Sequence, residues 1–443
     1  GENTDRATCI DVDDEGNAFV GGETYSENFP NWTQPDIGDF SSNIFFLKLN
    51  SSGNGLEFST VLGGDSTFDD MTDLTVGQDG HLFGVGYTTG GFPLLNASDA
   101  SAGGGSEGFL FKYNPTDEGL LFSTYIGGEG VDYPHGVCVD SSDNIYVTGS
   151  TSSEDFPMNA DIDYTTNGGL SCFVTKFNAS GGLISSVLMG GSDDDLGQAV
   201  AIDSSGSIVI SGYTESEDFP LEDPSDAQFA GESEGFVLRI DASFDRLALS
   251  TFFGGSGTDE ILDLVIDAEN NIYLTGFTNS SDILVVSPYD ESYNGGVTDA
   301  FLCKLTADGQ IVFSTYIGGT GEDVAVALDL GHNGSIFLTG WTNSADFPTS
   351  VALQDAYHIG AEDGFVLKIH DLTDGDDDGM QDWWEERFGL SLGINDSLDD
   401  ADGDALTNLR EFQNGTDPTK SDTDADGMPD GWEVSYSLNP LIN

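Results

Sequence analysis

The side chains best placed to do chemistry lie near the end of the 443-residue chain, where three acidic loops share the spacing Asp-x-Asp-x-Asp-x-x-x-Asp/Asn-x-x-Glu. The first presents Asp374, Asp376, Asp378, Met380, Asp382 and Glu385. The second presents Asp400, Asp402, Asp404, Leu406, Asn408 and Glu411, and the third Asp422, Asp424, Asp426, Met428, Asp430 and Glu433. Side-chain oxygens at positions 1, 3, 5 and 12, a backbone carbonyl at position 7 and a water-holding residue at position 9 make a cage of oxygen ligands for a hard divalent cation. No Cys or His enters it, so calcium is expected in preference to zinc, at up to three sites within 374–433.

This is the EF-hand loop register. Gly379 and Gly427 stand at position 6, where the loop turns sharply, but Ala405 takes that place in the second loop, which predicts a weaker or distorted site there. Trp383, Trp384, Phe388, Leu406, Leu409, Phe412 and Trp432 follow at helix-like spacings, predicting a short helix behind each loop. The segments 378–385 and 414–418 resemble the thrombospondin type 3-like calcium repeats of bacterial and archaeal exoproteins, and dockerins share the loop followed by a helix. That resemblance implies a small calcium-binding domain over 371–443. Without the ion its carboxylates repel one another, so binding contributes folding energy and rigidity. Calcium outside cells is abundant enough to fill even weak modules of this kind, which points to an extracellular or cell-surface location.

The elements ahead of these loops are set by an internal repeat. Asn-Ile-Tyr-Val-Thr-Gly-Ser-Thr at 144–151 returns with small changes at 271–278 and 335–342, and its glycine recurs at Gly22, Gly86, Gly149, Gly212, Gly276 and Gly340. A second landmark, Ser-Thr-Tyr-Ile-Gly-Gly at 123–128 and 314–319, has relatives ending at Gly64, Gly191 and Gly255. Each unit reads as four short strands separated by Gly/Asn/Asp turns, with a polar connection containing Phe-Pro between the second and third. The fifth unit has Ile283-Leu284 in place of Phe-Pro. Six such units predict an all-β, six-bladed β-propeller of four-stranded blades over 1–370, closed so that no blade face is left bare, with the calcium-binding domain after it.

These residues resemble the SBBP family of bacterial β-propeller repeats and, more distantly, the NHL type. The resemblance implies that the first strand of each unit is innermost and the Ser-Thr-Tyr-Ile-Gly-Gly strand outermost. That fourth strand occurs only five times, so one blade lacks its edge. Residues after 370, residues trimmed off, or another subunit are the sources from which it could be completed.

Two charged positions follow the repeat. Lys48, Lys112, Lys176, Arg239, Lys304 and Lys368 hold one third-strand position, each expected to have a fixed partner, most simply a carboxylate. Asp5, Asp69, Asp132, Asp195, Asp259 and Asp323 precede the first strands, either as a structural cap in each blade or as a cation-binding ring facing the central channel.

Composition narrows the function. With 79 acidic against 11 basic residues and a formal charge of −68, the chain lacks the clustered cations that nucleic acid or an anionic membrane surface requires. A hydrophobic fraction of 37%, with 29 Phe and 14 Tyr, nevertheless predicts a folded protein. No run of about 18 apolar residues is present to span a bilayer, so no membrane insertion is expected of this chain. The start at Gly1 is read as that of a mature or trimmed product. Cys9, Cys138, Cys172 and Cys303 follow no metal-ligand spacing and are expected as buried thiols.

No catalytic constellation emerges, and the chain is not expected to be an enzyme. Gly-x-Ser-x-Gly at 104–108 and 231–235 approaches a third strand and not a strand-to-helix turn, and the five histidines lie scattered among the units. Eight Asn-x-Ser/Thr sites, at Asn31, Asn50, Asn96, Asn178, Asn279, Asn333, Asn395 and Asn414, are available for surface glycosylation. The expected function is that of a structural, assembly or adhesion protein, with a calcium-stabilised stalk and with itself or other surface proteins and glycans as partners. It would polymerise if one subunit supplied the missing strand of the next. The alternative is a secreted propeller enzyme or lectin acting on extracellular glycans.

Overall fold

The computed structural model describes residues 1–30, 41–64, 67–159, 168–331, 335–349, 362–370, 375–376, 378–436 and 438–442. Asn31, Asn333 and Asp374 of the expected site residues lie outside them.

The chain forms an all-β propeller of six blades, each an antiparallel sheet built from consecutive strands. Blade 1 contains Asp5–Val12, Ala18–Thr24, Asn43–Leu49 and Leu56–Leu62. The next four repeat it over 69–126, 132–189, 195–253 and 259–317. Blade 6 has three strands, Asp323–Leu330, Ser335–Thr342 and Asp363–His370, in keeping with the missing fourth-strand landmark. First strands of successive blades run beside one another and are therefore the innermost. The closure expected at the seam is different among the described residues: the first strands of blades 6 and 1 do not pack closely as every other consecutive pair does.

Each landmark of the repeat has a packing reason. The recurring glycine sits where the first strand bulges against the second; a Cβ on Gly149 would fall 2.1 Å from the Tyr133 carbonyl oxygen. The Phe of Phe-Pro lies against the third-strand Phe of its own blade, as in Phe92–Phe109 with ring centroids 3.9 Å apart and Phe219–Phe236 at 4.6 Å. In blade 5, Ile283 is buried in the core that holds Phe301, and the ring beside Phe301 is Phe253, at 4.9 Å. The Ser of the fourth strand holds the connection down: Ser250 Oγ donates to the Pro220 carbonyl at 2.7 Å, and Ser123 Oγ to that of Pro93 at 2.5 Å. Leu95, Glu222 and Val286 then bridge to the outer edge of the fourth strand, so the connection shields an edge that would otherwise pair freely.

The aspartates at the blade starts are clasps. Asp132 accepts hydrogen bonds from Thr151 Oγ1, from Ser153 Oγ at 2.9 Å and from the N–H of Gly128, at the end of the preceding blade, at 3.0 Å. Asp195, Asp259 and Asp323 repeat the arrangement with Gly191, Gly255 and Gly319. Among the described residues no group of metal-competent side chains surrounds any of them, which favours the structural role over the cation-binding ring.

Lys48, Lys112 and Arg239 have the expected carboxylate partners, and five of the six third-strand cations stand over a ring. Lys48, Lys112, Lys176, Lys304 and Lys368 each stand over the aromatic side chain directly opposite on the second strand, such as Phe83 for Lys112 at 4.7 Å and Tyr273 for Lys304 at 5.1 Å. Arg239, which faces Val209, pairs instead with Asp203 at 3.7 Å. Lys112 also reaches Asp143 of the next blade at 2.8 Å. All four cysteines are free thiols, Cys172 and Cys303 buried and Cys9 and Cys138 half-buried.

After the propeller come three short helices, α1 (Asp382–Phe388), α2 (Asn408–Asn414) and α3 (Asp430–Ser435), one behind each acidic loop. Among the described residues no helix is long and apolar enough to cross a membrane.

Candidate metal centres

Each acidic loop runs into its helix so that position 9 is the first helical residue and position 12 lies one turn on. The short polar side chain at position 9 closes the loop. Gly375 N–H donates to Asp382 Oδ1 at 2.7 Å, Ala401 N–H to Asn408 Oδ1 at 3.3 Å, and Thr423 N–H to Asp430 Oδ1 at 2.9 Å. Position 9 thus also accepts from the backbone of position 2.

The loops turn where glycine was expected and pay no heed to the exception. Gly379 and Gly427 take φ of 89° and 97°, and Ala405 is held at 78°, in the left-handed region that disfavours a Cβ. Ala405 N–H donates to Asp400 Oδ2 at 3.0 Å and Gly427 N–H to Asp422 Oδ2 at 2.9 Å, the same position-1 contact in both loops. The second loop therefore keeps the shape of the third at the expense of local strain.

Four groups of carboxylates bring one oxygen from each member within 4.8 Å of the others: Asp376 with Asp378 and Glu385; Asp400 with Asp402 and Asp404; Asp404 with Glu411 and Asp430; Asp422 with Asp424 and Asp426. Each group could hold a metal ion. The decisive feature is the position-12 glutamate. Glu385, Glu411 and Glu433 are buried, and among the described residues both carboxylate oxygens of Glu385 and Glu411, and Oε2 of Glu433, have no hydrogen-bond partner. A buried charge without partner or ion is strongly disfavoured, and Glu385 and Glu411 each bring an oxygen into a group of other carboxylate oxygens. Burial is the main cause that pushes the carboxyls of Glu385 and Glu411 up to about 7, and the neighbouring aspartates add to it. A cation among them reverses that penalty.

Sequence reasoning treated the loops as independent and missed two residues' roles. Asp430 belongs to the third loop yet stands with Asp404 and Glu411 of the second, and Gly431 N–H, at the start of α3, donates to Asp404 Oδ2 at 2.6 Å. The second and third loops are thus one coupled unit. Asp396, ahead of the second loop, adds its charge to the field at Glu385 and buries an oxygen with no hydrogen-bond partner. Its only signal in the sequence was one more acid in an acidic stretch.

Of the described acceptor asparagines, Asn96, Asn178, Asn279 and Asn395 are exposed, and Asn50 and Asn414 half-buried. Asn96 Nδ2 donates to the Leu121 carbonyl at 3.2 Å and Asn414 Nδ2 to that of Arg410 at 2.7 Å, bonds a glycan on either nitrogen would displace.

A repeat-built propeller carrying acidic cation cages is the class defined by this geometry. In agreement, residues 121–157 match the β-propeller repeat family SBBP. No curated protein matches in sequence. Among solved structures, the chain is similar to hydrazine synthase of Kuenenia stuttgartiensis at 11% identity and a TM-score of 0.41, covering 75% of this chain and 73% of that one. It is also similar to the gluconolactonase XC5397 of Xanthomonas campestris (12%, TM-score 0.33, 67% and 79%) and to BamB of Moraxella catarrhalis (10%, TM-score 0.32, 75% and 82%). Likeness at this level bears on neither activity nor partner.

Proposed function

We propose that this chain is a non-catalytic, extracellular assembly or adhesion module whose C-terminal segment is a calcium-stabilised stalk, and whose three-stranded blade 6 accepts a strand from a neighbouring subunit. The observation that carries the calcium reading is the pair of buried glutamates, Glu385 and Glu411, whose carboxylate oxygens have no hydrogen-bond partner among the described residues and stand within groups of oxygen ligands alone. Oxygen ligands in that number suit calcium, and calcium concentrations outside the cell suffice to load them. The third strand of blade 6 ends its sheet, and an edge of that kind takes an added strand through main-chain hydrogen bonds.

Calorimetric titration of calcium into the chelator-treated full chain tests the first part. Binding at up to three sites, the loss of one in Glu385→Gln and of one in Glu411→Gln, and a melting transition of the C-terminal segment that rises with calcium are expected. No binding heat and an unchanged melt in chelator would remove calcium from the reading. Particle size by light scattering and electron microscopy, with and without calcium, tests assembly.

A further inference from the structure

We propose that a second copy of this chain docks head to tail, its blade 1 covering the open face of blade 6. The inference rests on the self-assembly part of the reading above, but it concerns a sheet face and not a sheet edge.

Every junction inside the propeller is made by the same two positions. A third-strand residue of one blade shares a core with the sixth residue of the next blade's first strand: Phe46 with Leu74, Leu110 with Val137, Val174 with Val200, Val237 with Leu264, and Leu302 with Leu328. All ten are buried. The sixth such pair is Val366 on blade 6 and Ile10 on blade 1. They are 77% and 65% exposed. Around Val366 the same face shows Phe337, 37% exposed where its counterparts Phe83 and Tyr273 are buried, and Thr339, exposed where Thr148 and Thr275 are buried.

Two polar contacts, each made at one junction, have exposed counterparts at the free ends. Asp11 accepts the N–H of Val12 beside it at 2.7 Å and, across to blade 2, the N–H of Val76 at 2.8 Å. Asp329 holds the same position in blade 6 and accepts the N–H of Leu330 at 2.7 Å, with its carboxylate exposed where a following blade would stand. Lys112 bonds to the turn of the next blade at Asp143, and Lys368, at its position in blade 6, is exposed. The corresponding turn of blade 1 carries exposed Asp14 and Glu15.

Apolar surface and charge on blade 6 thus match what blade 1 presents, and among the described residues the two faces do not pack closely on each other. A second copy supplies the missing partner at each end. Because the contact joins two different surfaces, it propagates and does not stop at a dimer unless the rotation closes. A net charge of −68 opposes the approach, so association needs screening salt, about 0.15 M or above, and calcium on the acidic loops.

The test is sedimentation velocity of the full chain over a dilution series in salt and calcium, with Ile10→Glu, Val366→Glu and their equimolar mixture. Both substitutions replace exposed side chains, and circular dichroism checks that each variant folds. The mass of the wild type is expected to rise with concentration. Each variant alone should stay at the mass of one chain, having lost one face. The mixture should reach twice that mass and go no further, since only one intact pair of faces remains. Association of both variants like the wild type would overturn this proposal and leave strand addition at the blade 6 edge standing. A wild type that stays a single chain at every concentration would overturn it too, and the assembly reading with it.

Discussion

Asp73 of blade 2 accepts the backbone N–H of Val137 in blade 3 at 2.8 Å, and Asp263 does the same for Leu328 between blades 5 and 6 at 2.8 Å. Each carboxylate thereby ties two innermost strands together in surroundings poor in solvent. Burial is the main cause that pushes Asp73 up to about 8 and Asp263 up to about 7, against the opposing effect of these hydrogen bonds.

A pH dependence follows from the sign of those shifts. A carboxyl whose pKa is raised by folding binds more protons in the folded than in the unfolded chain, so its contribution is fully present below the unfolded range, about 4, and is lost as the pH climbs through 7 to 8. The melting temperature of the propeller at fixed calcium is expected to fall from pH 5.5 to pH 8.5. Self-repulsion of the acidic chain acts in the same direction. The double variant Asp73→Asn, Asp263→Asn separates the two causes, because only the part due to these residues flattens in its thermal melts.

The clasp at the blade starts predicts a local loss. Thr278 Oγ1 donates to Asp259, which is buried and held otherwise by Ser280 Oγ at 2.7 Å and Gly255 N–H at 2.8 Å. Thr278→Val keeps the shape and deletes the donor, which should destabilise the propeller by about 1–3 kcal/mol in denaturant unfolding. Thr278→Ser should restore most of it. Equal stability of the valine variant would mean that the hydroxyl carries no part of the clasp.

At Ala405 the expected change is a gain. The residue sits at φ 78°, a conformation that costs an alanine about 1–2 kcal/mol and a glycine almost nothing, while glycine gives back about 0.5–1 kcal/mol through the freer unfolded chain. Ala405→Gly is therefore expected to stabilise the C-terminal segment by up to about 1 kcal/mol. Calcium titration should show tighter binding at the second loop, and, because Asp430 stands with Asp404 and Glu411, a coupled change at the third.

The repeat made the propeller legible: a glycine returning every 63 or 64 residues, with hairpin turns on either side, specifies both the strands and their order. The acidic loops were legible for the same reason, since ligand chemistry fixes spacing. Partnerships decided by cross-strand register were not. That Lys304 faces Tyr273 becomes evident only once the second and third strands are aligned. Asp430 was assigned to its own loop because nothing in a linear spacing shows that α3 begins against Asp404. The bare faces at Ile10 and Val366 were hidden for an opposite reason: their residue types are those of every other blade, and only their surroundings differ.

The uniform seams also bear on how such a chain can change its length over descent. A duplicated 64-residue unit inserted between any two blades would present on one side the surface its neighbour already receives, and on the other the surface its neighbour already offers. Among the described residues the seam between blades 6 and 1 is not closely packed, so a unit added at that place would not have to break an existing core.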